Sequence, residues 1–256
     1  MRRLVLLVFG VGLSIGAAQF AFNGGRLDGW KALPIIELLA DLHHVQGIDV
    51  ERGVLWVSSV DASARAGYLS RFDLRTGRLL NQVRVEEGQR FHPGGLTLDG
   101  DSIWVPVAEY DRDGPTSIQR RDKRTLALRT SFTVNDHIGC IAAGKDGLVG
   151  GNWDSRILYR WSREGREISR TPNPGTTSYQ DLKMVDGWLL GSGNQSKTEG
   201  TVEWLDPKNY AVKKSVMAGQ TSRGVTYTHE GMTYRDGRLY LLPEDGRSRL
   251  FVFRQH

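Results

Sequence analysis

One short pattern occurs five times along this chain. It reads His44-Val45-Gln46-Gly47-Ile48, His92-Pro93-Gly94-Gly95-Leu96, His137-Ile138-Gly139-Cys140-Ile141, Tyr179-Gln180-Asp181-Leu182 and His229-Glu230-Gly231-Met232. Aligned on Gly47, Gly95, Cys140, Asp181 and Gly231, successive copies are spaced by 41 to 50 residues. A period of that size suits a propeller blade of four strands, which cannot bury its faces alone and must stack on neighbours.

Each copy continues as the blade reading requires. A second apolar run follows the anchor, at residues 54–58, 102–106, 147–150, 188–191 and 238–242. Asp99-Gly100, Asp146-Gly147, Asp186-Gly187 and Asp236-Gly237 precede four of these runs and are hairpin signals. A third, alternating run comes next, at residues 68–73, 117–122, 157–162, 201–206 and 249–253, and a fourth follows in most copies, such as 79–85 and 126–132. The last copy lacks a fourth run. Residues 30–39, ahead of the first copy, are predicted to supply it as one extended strand and so join the two ends of the ring. The expected fold is all-β, a five-bladed β-propeller whose last blade is closed by an N-terminal strand, occupying residues 22–256 as a single domain.

The same register gathers polar side chains on one face. In an antiparallel hairpin, the start of the first strand and the end of the second lie together. The starts carry His44, His92, His137, Tyr179 and His229, with Gln46, Gln180, Asp181 and Glu230 beside the anchors. The ends carry Asp61, Glu109, Asp154, Asn194-Gln195 and Glu244-Asp245, with Tyr110 and Trp153 adjacent. Imidazole nitrogens from several blades suit one divalent transition-metal ion, so His44, His92, His137 and His229 are the candidate metal ligands. His229 stands two residues before its anchor rather than three, which turns an extended side chain to the other face unless a bulge restores it. Glu230, near the axis, is the candidate general base. Gln46, Tyr179, Gln180, Asp181, Glu109 and Asp154 are the candidate substrate contacts. The competing expectation is structural: imidazoles bonded to backbone where blades meet, and rim acids serving local turns.

Other features bound the setting. Arg2 and Arg3, an apolar run over residues 4–15 and the small residues Gly16, Ala17 and Ala18 read as an export signal over residues 1–18, so a periplasmic or extracellular protein is expected, with membrane contact only through that segment. The net charge of +5 is scattered rather than massed, which argues against nucleic acid. Cys140 is the single cysteine and cannot form an intrachain disulfide. No nucleophile elbow, P-loop or Cys-x-x-Cys is present. A monomer acting on a small molecule at the axial funnel is expected.

The anchor pattern, a polar residue before glycine and an apolar residue with a later Asp-Gly turn, resembles the gluconolactonase and regucalcin-like propellers and, more loosely, the strictosidine synthase and paraoxonase group. It looks closest to an uncharacterised family of exported bacterial propellers. The first resemblance implies six blades, the alternative architecture, and a divalent ion held just before the glycines, where this chain has Gln46, Gly94, Gly139, Gln180 and Glu230; only Glu230 is anionic. Three functional classes stay open: a metal-assisted hydrolase of a lactone or ester, a non-catalytic propeller binding a ligand or protein, and a redox enzyme with an all-histidine metal site.

Overall fold

Short apolar runs separated by Asp-Gly and similar turns pair with their immediate neighbours in sequence, because that closes the least loop. The computed structural model describes residues 25–255, where these runs form five antiparallel sheets. Blade 1 is His44–Glu51, Val54–Asp61, Ala66–Asp73 and Leu79–Arg84, from the axis outward. Blade 2 has a divided inner strand, Arg90–Pro93 and Thr97–Asp99, then Ser102–Glu109, Thr116–Asp122 and Leu128–Val134. Blade 3 is Ile138–Gly144, Gly147–Asn152, Ile157–Trp161 and Glu167–Pro172. Blade 4 is Ser178–Val185, Trp188–Asn194, Gly200–Leu205 and Val212–Met217. Blade 5 has three strands from the C-terminal repeat, Glu230–Arg235, Arg238–Pro243 and Arg249–Arg254.

The fold is therefore the five-bladed propeller, and the N-terminal segment closes blade 5. It does so in two pieces rather than one strand: Lys31–Ala32 and Ile36–Glu37 each pair antiparallel with Arg249–Arg254. Pro34 lies between them and has no N–H to donate, so a continuous ladder is interrupted there. One addition had no sequence signal. Gly25–Arg26 runs parallel to Val212–Met217 and gives blade 4 a fifth strand. The fourth strand of blade 2 also starts later than expected, at Leu128, because Leu126 sits in the turn at φ 65° with its side chain fully buried. The segment read as an export signal lies outside the described residues.

Five apolar clusters hold the ring, each between two neighbouring blades. Ile48, Leu55, Tyr240 and Leu242 join blades 1 and 5; Trp56, Leu69, Leu96 and Ile103 join blades 1 and 2. Trp104, Ile118, Leu148 and Tyr159 join blades 2 and 3; Cys140, Leu158, Leu182 and Leu189 join blades 3 and 4. Leu190, Val202, Met232 and Leu241 complete the circle between blades 4 and 5. Each such side chain contributes roughly 1.5–3 kcal/mol when fully buried.

The repeated glycines explain how five inner strands meet at so narrow an axis. A Cβ on Gly47 would stand 2.4 Å from the Cα of Gly95, and one on Gly94 would stand 2.1 Å from the carbonyl oxygen of Gly139. Blades 2 and 3 bond directly there, from Gly95 N to Gly139 O at 2.8 Å and from Ile141 N to Gly95 O at 3.1 Å. Into the remaining space goes one side chain, Asp181, the anchor of blade 4. Its carboxylate accepts hydrogen bonds from the backbone N–H of Ile48 (3.0 Å) in blade 1 and of Met232 (3.1 Å) in blade 5. Buried Lys183 donates to the same carboxylate and to Leu96 O (2.7 Å) in blade 2. Four blades thus share one buried ion pair.

Candidate functional site

The inner strands aim the site residues through a local irregularity. Three hairpins skip one residue on the inner strand just before the anchor: Gln46 in blade 1, Gly139 in blade 3 and Gln180 in blade 4. Such bulges bend a strand and re-aim the extra side chain. Blade 2 is interrupted at Gly94–Leu96 between its two inner pieces. Blade 5 has no such shift, but Glu230 takes φ 121°, a conformation that L residues other than glycine rarely hold. The result is one pocket of about 150 Å³ lined from all five blades, by Gln46, Gly139, Gln180 and Glu230 together with His44, His92, His137 and Tyr179. Tyr110, Asn152, Trp153 and Asp154 complete its wall.

Most of the expected site residues therefore share this pocket, and three do not. Asp181 is wholly buried in the axial ion pair, where burial pushes its carboxyl up to about 6 against the opposing pull of Lys183 and two backbone N–H groups. Glu109 ends its strand outside the lining, with its backbone N–H bonded to Pro115 O. His229 lies outside the lining and is partly exposed, although its Nδ1 is buried 3.4 Å from Glu230 Oε1. The blade 5 residue that enters the pocket is Glu230, which stands one before its anchor as Gln46 and Gln180 do, and the blade 5 ladder starts there without a register shift.

The pocket has two unlike walls. On the side of blades 1 and 5, His44 Nε2 lies 3.2 Å from Glu230 Oε1 and 3.3 Å from Glu244 Oε2. Burial works against a charged imidazole there, but the hydrogen bond and charge of Glu230 and the charge of Glu244 outweigh it, and the His44 pKa is raised. These three residues can each offer one donor atom, all within 4.8 Å of one another. Among the described residues this is the one group of His, Cys, Asp or Glu with metal-ligand spacing. The expected set of four imidazoles is not gathered on one point.

On the side of blades 2 and 3 the histidines sit among rings instead. His92 stacks on Tyr110 (centroids 4.6 Å apart, planes 23°) and lies 5.3 Å from the ring of His137. Burial, then the nearby His137 and His44, push its pKa down to about 3, so it is neutral at any physiological pH. Its Nδ1 is buried with no hydrogen-bond partner among the described residues. His137 has its Nδ1 2.7 Å from the carbonyl oxygen of Asp111. A carbonyl only accepts, so the proton of this imidazole is on Nδ1 and Nε2 keeps its lone pair. Burial lowers the His137 pKa, with the carbonyls of Asp111 and Glu109 opposing. The loop carrying Asp111 is tied across to blade 3 by Arg112–Asp154 (2.7 Å) and Arg156–Asp113 (3.2 Å).

Tyr179 directs its hydroxyl away to Glu203 (2.6 Å), whereas Gln46, nine-tenths buried, keeps an amide without a protein hydrogen bond among the described residues. Glu244 joins the group of His44 and Glu230 although the sequence marks it only as one of many rim acids. Its signal was its place at the end of a second strand, shared with Asp61, whose carboxylate serves Ser63 and Ala64 in its own turn, and with Asp245, which is buried against Arg249 and Arg223.

The chain belongs to a family of unknown function, DUF6454, whose family model matches residues 28–179. No curated protein matches it. Among solved structures it is similar to the PQQ-bound aldose sugar dehydrogenase of Streptomyces coelicolor, at 12% identity and TM-score 0.54 over 88% of this chain and 97% of that one. It is also similar to the Pan2 WD40 domain of Neurospora crassa, at 14% identity and TM-score 0.50 over 83% of this chain, which spans only 62% of that domain's chain. At such identities the likeness is one of fold, and the resemblance to gluconolactonase-like propellers rests on the repeat pattern alone.

Proposed function

We propose that this member of the DUF6454 family is an exported hydrolase of a small ester or lactone, with one divalent ion held by His44, Glu230 and Glu244 at the mouth of the axial pocket. The observation that carries this reading is the spacing of the His44–Glu230–Glu244 donors beside a pocket that also holds a free amide. Edges of 3.2 and 3.3 Å match the roughly 3.3 Å edge of a tetrahedron with bonds of about 2.0–2.1 Å, the zinc geometry. Three protein donors leave a coordination position for water or substrate, the arrangement of catalytic rather than structural sites. One nitrogen and two carboxylates favour zinc, manganese or iron over calcium, which prefers six to eight oxygens.

The ion would polarise the substrate carbonyl and lower the pKa of a bound water. The side chains around it have separate tasks. Gln46 can donate its amide N–H to the carbonyl oxygen as negative charge develops there. His137, protonated on Nδ1, offers Nε2 as the acceptor for the proton of the attacking water. That proton passes to the departing alkoxide as the acyl C–O bond breaks, so the products are an acid and an alcohol. Glu230, first expected as the base, is here a ligand. The export rests on residues 1–18, and the protein is taken to work as a monomer without nucleic acid.

A second reading, a non-catalytic ligand-binding propeller, is favoured by His44 being hydrogen-bonded within the triad with no ion needed. Elemental analysis of purified protein after dialysis against zinc or manganese separates the two. One ion per chain, lost with ester hydrolysis in Glu230→Gln, supports the hydrolase. A protein that takes up no ion, and whose properties a chelator leaves unchanged, contradicts it.

A further inference from the structure

The wall opposite the proposed ion has a shape of its own. The rings of His92, Tyr110 and Trp153 lie near one common orientation, with interplanar angles of 23°, 14° and 33° and centroids 4.6, 6.5 and 6.3 Å apart. Tyr110 is 48% exposed although it belongs to this array. An aromatic ring at the edge of a cavity offers its face to a ligand, as aromatic side chains lining small-molecule pockets do. The cavity measures about 150 Å³, and an apolar cavity of about that size takes one benzene. No lysine or arginine is among the residues lining it, and Arg112 beside it is paired with Asp154. The two charges of a bound divalent ion would be matched by Glu230 and Glu244, and Asp154 is matched by Arg112, so an anionic ligand would find no lysine or arginine free to balance it. Two polar side chains in this lining offer unused hydrogen-bonding groups among the described residues: His92, whose Nδ1 is buried without a partner, and Gln46, a residue 7% exposed whose amide makes no protein hydrogen bond.

We infer that the axial pocket takes an uncharged, planar conjugated ring bearing a carbonyl group, with the ring stacked on Tyr110 and Trp153 and the carbonyl directed to Gln46. This deepens the proposed function and rests on it for the reaction, though not for the binding. A stacked aromatic pair contributes enough to favour such a ring over a saturated one of equal size by roughly three- to tenfold.

Calorimetric titration with benzamide and with cyclohexanecarboxamide, neither of them readily hydrolysed, measures the ring preference directly. Tighter binding of benzamide, lost in Trp153→Leu and reduced in Tyr110→Leu, is the expected result. Tyr110 is exposed and its variant should fold; a melting curve for each variant checks this. Equal affinity for the two amides in the unaltered protein, or a preference that survives both substitutions, overturns the inference. Methyl benzoate and methyl cyclohexanecarboxylate, assayed with zinc or manganese present, then separate the two readings. Ring preference in binding with neither ester cleaved removes the reaction and leaves the ring site. Cleavage of both esters with no ring preference removes the ring site and leaves the reaction.

Discussion

His44 and His92 occupy the same position in successive blades and meet opposite conditions. His44 faces Glu230 and Glu244, carboxylates from the far end of the chain, and is held toward its charged form. His92 is held neutral by its burial against Tyr110 and then by the nearby imidazoles of His137 and His44. The repeat copies a backbone position into every blade. What crosses the axis to meet that position is not copied, and it decides the chemistry. A five-bladed ring makes this unavoidable, since blade 5 brings Glu230 beside a histidine 186 residues earlier in the chain.

The largest effect should come from removing what holds both walls at once. Asp181→Ala leaves Lys183 buried without its partner and frees two backbone N–H groups, and a broken buried pair costs about 3–5 kcal/mol. Urea unfolding should show that loss; a change under about 1 kcal/mol would mean the axis does not depend on the pair.

Next in size is the contrast in ion binding. Glu230→Gln should weaken zinc or manganese binding on the order of 100-fold or more, since even partners of ligands contribute 10–100-fold. His92→Gln, on the ring side, should leave the affinity within about threefold. Calorimetry of both variants would break the two-wall account if they behaved alike.

The two histidines should also give opposite pH dependences of stability. His92 has a folded pKa of about 3, below its ordinary value near 6.5. Above pH 6.5 it is neutral folded or unfolded. As pH falls from 6.5 toward 3, the unfolded chain binds a proton that the folded protein does not, and stability drops by up to about 1.4 kcal/mol per pH unit. His137, also lowered, adds to the same loss. His44 works in the other direction: its raised pKa contributes stability that is complete below pH 6.5 and is lost as pH rises through its folded value. Denaturant midpoints between pH 4 and 8 should therefore show a shallower acid loss in His92→Asn and a steeper one in His44→Asn. Like slopes in the two variants would contradict the comparison.

The smallest effect concerns the stack over His92. Tyr110→Ala removes an aromatic pair, for about 0.5–1.5 kcal/mol, and opens His92 to water. The His92 pKa, followed by NMR titration, should climb back toward 6.5; an unchanged value would show that Tyr110 does not shield it.

The architecture was legible because a propeller repeats its hairpins, and alternation with Asp-Gly turns marks each one. Even the closure of blade 5 by the N-terminal segment followed from a missing fourth run, while Gly25–Arg26 carried no apolar pattern to reveal it. The site was legible in part. His44, His92, His137, Tyr179, Gln46, Gln180 and Glu230 were all marked by their distance from the anchors. Their grouping was not, because backbone irregularities are invisible in sequence: three blades have a bulge at the anchor, whereas in blade 5 Glu230 takes φ 121° and lines the pocket while His229 does not. Asp181 looked like one more polar pocket residue. Only the closeness of Gly95, where a Cβ would stand 2.7 Å from its Oδ1, shows that it fills the axis itself. Glu244 stood among rim acids of identical appearance until the fold placed it 3.3 Å from His44.

The proposed ion site is His44, Glu230 and Glu244, not His92 and His137. Anomalous diffraction from crystals of the protein grown with zinc or manganese tests it most directly. One strong peak is expected within about 2.0–2.2 Å of His44 Nε2 and of a carboxylate oxygen from each glutamate. A peak between His92 and His137, or none anywhere in the axial pocket, would contradict it.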